Sequence, residues 1–132
     1  MAGNMQPVQS VAIIGAGNMG SGIAQKTAQE EFDVQMVDRE AQWVERGQSI
    51  IADFLSEAVE RRIFSPQQVE EIQSRITPVI GTENTAPDTD LVIEAVFEDF
   101  DIKTAVFNTL NEACGENTIL ASNTSSLSVN DL

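Results

Sequence analysis

The stretch Val11-Ala12-Ile13-Ile14-Gly15-Ala16-Gly17-Asn18-Met19-Gly20 decides the fold. Val11 to Ile14 is a short, β-branched run with a glycine directly after it, which is how a strand buried on both faces reads. From Met19 to Gln29 the pattern turns helical. The junction is G-x-G-x-x-G, and each glycine has a separate physical job there. Gly15 permits the tight turn, Gly17 lets a ligand approach the backbone, and Gly20 lets helix and strand pack closely.

The next strand outward, Val34 to Val37, ends at Asp38, 18 residues after Gly20. A strand, a glycine turn opening a helix, and an acid at the end of the second strand together make a dinucleotide fingerprint. A helix N-terminus offers N–H groups and a partial positive charge to phosphates, so no basic residue is needed. The binding candidates of the turn are Gly15, Gly17, Asn18, Met19 and Gly20. Asp38 would accept from the ribose diol and repel a 2′-phosphate, favouring NAD over NADP; Arg39 beside it weakens that preference slightly. FAD uses a similar fingerprint, and a plain strand–turn–helix whose glycines serve packing alone is the blander reading.

Farther along, Trp43, Val44, Ile50, Ile51, Phe54, Leu55, Ala58, Val59 and Ile63 recur at helical spacing as one apolar stripe that includes Gly47. Trp43 and Phe54 therefore read as core residues. Ser65-Pro66-Gln67-Gln68 is a helix-start signal, with Ser as N-cap, Pro at the first position and Gln completing a capping box. The two helices form a hairpin at about 40–75, inserted into the sheet pattern. Arg61 and Arg62 close the first of them, either complementing its C-terminal dipole or facing an anion. Ile76 to Ile80 reads as an edge strand because of Pro78. Asp90 to Ile93 and Thr118 to Ala121 read as further strands, with a helix marked by Ile102, Ala105, Val106, Leu110 and Ala113 between them. Strands alternating with helices mean a parallel α/β sheet, doubly wound in the Rossmann manner, in the order 3-2-1-4-5.

Composition narrows the function classes. The chain has 132 residues, 42% of them hydrophobic, which suffices for one domain without staples. The net charge of −14 repels phosphate backbones and anionic membrane surfaces. No apolar run approaches the ~18 residues of a membrane span, and the first residues do not read as a secretory signal. The single cysteine, Cys114, fits a reducing, cytoplasmic setting and reads as inert. There is no histidine, so no ordinary metal site is expected, and the commonest general base is missing.

The chain resembles the NAD-binding domain of L-3-hydroxyacyl-CoA dehydrogenases from Val11 to Leu132. The matching strings are Val11 to Gln25, the hairpin before Ile76-Thr77-Pro78, Leu91 to Glu98 with Lys103, and Ala121-Ser122-Asn123-Thr124-Ser125-Ser126-Leu127. The last two separate this family from other dehydrogenases. The resemblance implies NAD as cofactor, an acyl-CoA substrate and a place in fatty acid metabolism. Glu98 and Lys103 would contact the cofactor, Ser125 would hydrogen-bond the substrate oxygen beside the nicotinamide, and Asn123 would shape the same strand end. The family's catalytic histidine and its second, helical domain, which forms a homodimer, are not in these residues. The expectation is thus a Rossmann domain cut short, without activity of its own.

Each of these residues also has a bland reading. Ser122 to Ser126 suits a loop and N-cap, Lys103 a solvated helix position. Glu94 suits either a buried structural acid or a cofactor role. At the level of function, a related β-hydroxyacid or sugar-acid dehydrogenase and a non-enzymatic dinucleotide-binding module remain alternatives.

Overall fold

In the first strand, β1 (Ser10–Ile14), Val11 and Ile13 point to one face of the sheet and Ala12 and Ile14 to the other, and all four are buried. A strand with no polar face has to lie in the middle of a sheet covered on both sides. The computed structural model shows that arrangement; it describes residues 8–95, 100–115 and 118–122, with the backbone alone for 100–103 and 122.

The elements follow in the order β1, α1 (Asn18–Gln29), β2 (Asp33–Asp38), α2 (Ala41–Glu60), α3 (Pro66–Ser74), β3 (Ile76–Ile80), β4 (Leu91–Glu94), α4 (Phe100–Ala113) and β5 (Ile119–Ser122). Among the described residues all four strand pairings are parallel, and the order across the sheet is β3-β2-β1-β4-β5, as the alternating pattern predicts. β3, with Pro78, lies at one edge.

Two apolar clusters fill the two faces. Val11, Ile13, Val34 and Met36 pack with Ala24 and Ala28 of α1, Val44, Ile51 and Leu55 of α2 and Ile72 of α3. Ala12, Ile14, Val37 and Val92 pack with Leu110 of α4. Leu55 is completely buried, a burial worth about 1.5–3 kcal/mol against exposure.

The buried stripe of α2 is Val44, Gly47, Ile51, Leu55 and Ala58. The apolar spacing puts Trp43 and Phe54 on it as well, and the structure corrects this: they are 40% and 54% exposed, and Ile63 is 62% exposed. The stripe advances by three and four residues at a time, and positions 43 and 54 each precede a stripe residue by one. One residue is about 100° around a helix, enough to carry a side chain to the flank.

Neither α1 nor α2 ends on a glycine. Glu31 and Arg62 adopt φ of 73° and 60° just past the two helices. The N–H groups of Glu31 and Phe32 donate to Ala28 and Thr27 carbonyls, and those of Arg62 and Ile63 donate to Val59 and Ala58 carbonyls. Both ends are Schellman motifs, made with residues that carry a steric penalty in the left-handed region. α3 starts as its sequence indicates: the Ser65 hydroxyl accepts from the Gln68 N–H at 3.1 Å, and the Gln68 side chain accepts from the Ser65 N–H at 2.8 Å.

At the opposite end of the sheet from the glycine turn, Asp90 Oδ2 accepts from the N–H groups of Gln9 and Ser10, both at 3.0 Å. These two bonds hold the Asp90 carboxyl below the usual aspartate range. They fasten the entry of β1 to the entry of β4, and so fix the register of the central strand pair.

Candidate functional site

The glycine turn is built as its sequence suggests, and the structure separates the roles of its glycines. Gly15 has φ of 113°, a conformation that side-chain-bearing residues rarely adopt, and its N–H donates to the Val37 carbonyl at 2.7 Å. A Cβ at Gly20 would overlap the carbonyl of Gly15. Both residues are therefore required by the fold. Gly17 is different. Its φ is −73°, ordinary for any residue, and a Cβ there would meet nothing within 4 Å among the described residues. Packing gives no reason for a glycine at 17.

Gly17 is the N-cap of α1, supplies no side-chain hydrogen bond to it, and no acidic residue lies in the first turn. Side-chain caps normally satisfy part of a helix start. An exposed, glycine-capped helix start is what an approaching phosphate requires. Asn18 and Met19 follow Gly17 on the exposed side of the turn, Met19 with 57% of its surface open.

Asp38 closes the other side. Its Oδ2 accepts from the N–H of Ala16 at 2.9 Å, and its Oδ1 from the N–H of Arg39 at 2.7 Å. A carboxylate has about four lone-pair directions, so both oxygens retain capacity for hydroxyl donors. α2 braces the same loop. A Cβ on Gly47 would fall 2.7 Å from the Ala16 carbonyl oxygen and 3.1 Å from the Met36 methyl. Sequence reasoning does not single out Ala16 and Gly47 as site residues, although a glycine on an apolar helical stripe signals close approach of another segment.

The carboxyl ends of β1, β2 and β4 thus meet at the strand-order reversal, where ligands of open α/β sheets bind. Glu94 ends β4 and is fully buried. Glu98, Asn123 and Ser125 lie outside the described residues, as do residues 123–126 generally. Lys103 is in the first turn of α4, described by its backbone only. A mainly apolar groove of about 500 Å³ lies between α1 and the hairpin; of the turn residues only Asn18 lines it. Its polar lining, Asn18, Ser21, Gln25, Lys26 and Gln29, comes from α1 alone and none of it from the strand ends. Burial pushes the Cys114 thiol up, which keeps it protonated, and it lies near the far end of α4. No group of three metal-ligating side chains occurs among the described residues, and no described helix is long and apolar enough to cross a membrane.

The family model for the NAD-binding domain of 3-hydroxyacyl-CoA dehydrogenase matches residues 10–132. The chain belongs to this family. A probable 3-hydroxyacyl-CoA dehydrogenase of Caenorhabditis elegans is 32% identical over 132 residues, covering 97% of this chain and 44% of the relative. A fatty acid oxidation complex subunit alpha of Psychrobacter is 36% identical over 126 residues, covering 96% of this chain and 17% of the relative. The crystal structure of 3-hydroxybutyryl-CoA dehydrogenase from Escherichia coli K12 superposes with a TM-score of 0.90 at 36% identity, covering 96% of this chain and 26% of that one. The chain spans less than half the length of each of these relatives. It is an NAD-binding domain of the 3-hydroxyacyl-CoA dehydrogenase family, and the glycine turn with Asp38 is its best-defined part.

Proposed function

We propose that this domain holds NAD across the ends of β1, β2 and β4 for an enzyme that moves hydride between NAD and the C3 carbon of a 3-hydroxyacyl-CoA. The observation that carries this is the open space at Gly17. A glycine that neither backbone conformation nor the packing of the described residues demands, as N-cap of a helix beside a fixed carboxylate, is accounted for by a pyrophosphate above it. When bound, NAD supplies the hydride acceptor or donor. The chain's own residues do the rest. Gly17 leaves the approach open, α1 places its positive end there, Asp38 accepts from the adenosine ribose, and Gly47 lets α2 hold the loop in place.

Glu98 and Lys103 are proposed to contact the cofactor, Ser125 to hydrogen-bond the substrate oxygen, and Asn123 to shape the strand end beside it; the family resemblance supports these four. With no histidine among the 132 residues, the group that takes the 3-hydroxyl proton belongs to another part of the parent protein. An unperturbed carboxylate, with a pKa near 4, is a poor base for an alcohol. The parent is further proposed to be a cytoplasmic homodimer; the single cysteine supports the reducing compartment, and the family resemblance the dimer. Its place in fatty acid metabolism rests on the same resemblance.

NADH absorbance decay tests the reading. The parent enzyme should oxidise NADH with acetoacetyl-CoA and not with free 3-oxo acids, while the 132-residue chain binds NADH without turnover. A parent that prefers free acids would overturn the substrate class. Turnover by the chain within about tenfold of the parent would place the acid–base group inside it, since that group alone is worth about 10²–10⁴.

A further inference from the structure

Glu94 is a fully buried acid at a position where the sheet otherwise places hydrocarbon. On β4 the buried residues are Val92 and Glu94, and Val92 belongs to the apolar cluster under α4. Continuing that face with another apolar residue would cost nothing. Burying a carboxylate is expensive unless hydrogen bonds hold it. The Glu94 oxygens are not among the buried side-chain atoms that lack a hydrogen-bond partner. An expensive group held in place calls for a role at that place.

Its register defines the place. Glu94 stands beside Ile14, the residue before Gly15, on one side. On the other side it stands beside Ser122, the residue before Asn123. The N–H of Ala95 donates to the Ile14 carbonyl at 2.8 Å, locking the end of β4 to the end of β1. Paired residues of parallel strands share a face, so the carboxylate occupies the α4 side of the sheet between the strand that enters the glycine turn and the strand that enters the Ser/Asn/Thr run. In a doubly wound sheet each half serves one mononucleotide. Asp38, on β2, belongs to the adenosine half; Glu94, on β4, belongs to the nicotinamide half.

We propose that Glu94 is a positioning residue for the nicotinamide half of the site, setting the spacing of the β1, β4 and β5 ends on which the nicotinamide ring and the reacting carbon are placed. The proposal rests on the reading given under Proposed function. It makes Glu94 specific to one half of the cofactor, which a residue needed only for folding would not be.

The experiment is calorimetric titration of the 132-residue chain with NADH and with ADP-ribose, which carries the adenosine and pyrophosphate but no nicotinamide. The chain is compared with Glu94→Gln and Glu94→Asp, each checked by thermal melting. Glu94→Gln should weaken NADH about tenfold, the scale of one lost hydrogen bond to a charged group, and leave ADP-ribose within about twofold. Glu94→Asp, which keeps the charge, should recover part of the NADH affinity. Equal weakening of both ligands, or unchanged NADH affinity in a folded variant, would overturn the proposal. So would failure of both variants to fold, which would make Glu94 a residue of the fold alone. If the unaltered chain binds ADP-ribose but gains nothing from the nicotinamide, the proposal fails while the cofactor assignment stands. If it binds neither, both fail.

Discussion

The carboxylate of Asp38 and the N–H of Ala16 are hydrogen-bonded at 2.9 Å, so the acid that would select the cofactor is also part of the loop that would hold its phosphates. The two halves of the fingerprint, 22 residues apart, are one object. Substitution at 38 should therefore affect more than the ribose. Asp38→Ala should weaken NADH binding by about 1.5–3 kcal/mol, the scale of a lost hydrogen bond to a charged group. Asp38→Asn retains an oxygen for Ala16 and should lose less. Titration calorimetry of both variants checks this, and equal losses would show that the bond to Ala16 has no part in binding.

Gly17 and Gly20 should separate function from fold. A Cβ at position 17 meets nothing within 4 Å among the described residues and φ there is ordinary, so Gly17→Val should melt close to the unaltered chain and lose NADH binding. Gly20→Ala drives a methyl into the Gly15 carbonyl and should cost about 3 kcal/mol or more, the top of the usual overpacking range. Thermal melts and NADH titrations of the two variants give the comparison. A folded Gly17→Val chain with full affinity would leave that glycine unexplained.

Arg62 sits at φ of 60° beyond α2. The left-handed conformation costs a non-glycine residue about 1–2 kcal/mol, and glycine returns roughly half of that through the greater freedom of its unfolded chain. Arg62→Gly should therefore stabilise the chain by about 0.5–1 kcal/mol, seen as a higher denaturation midpoint at unchanged slope.

Asp90 should make stability depend on pH at the acid end. Its folded carboxyl lies below the ordinary value because Gln9 and Ser10 donate to the charged form. A depressed carboxylate contributes stability that is present above its unfolded pKa and is lost as pH falls through the folded one. Asp90→Asn should thus be less stable than the unaltered chain at pH 7, and the difference should shrink below about pH 3.9. Denaturation midpoints of both chains across that range would show it.

Most of the topology is legible in the amino-acid sequence. Short apolar strands alternating with helices, joined by right-handed crossovers, leave few orders, and Pro78 marks β3 as an edge. The ends of α1 and α2 are not legible, because Glu31 and Arg62 do what glycine normally signals. The face of α2 is legible only to within one residue, because the helix has apolar side chains flanking its buried stripe; hence the misplacement of Trp43 and Phe54. In the site, the glycines and Asp38 can be found by spacing alone. The bond between Asp38 and Ala16, and the contact between Gly47 and Ala16, join residues whose meeting depends on how β2 and α2 pack, and no local pattern records that.

The most direct test of the cofactor assignment is a calorimetric titration of the 132-residue chain with NADH and NADPH under identical conditions. An Asp38 carboxylate facing the ribose diol should accept from its hydroxyls and repel a 2′-phosphate, so NADH should bind and NADPH should bind at least about tenfold more weakly. NADPH binding as tight as NADH, or tighter, would contradict the role given to Asp38 and the cofactor assignment built on it.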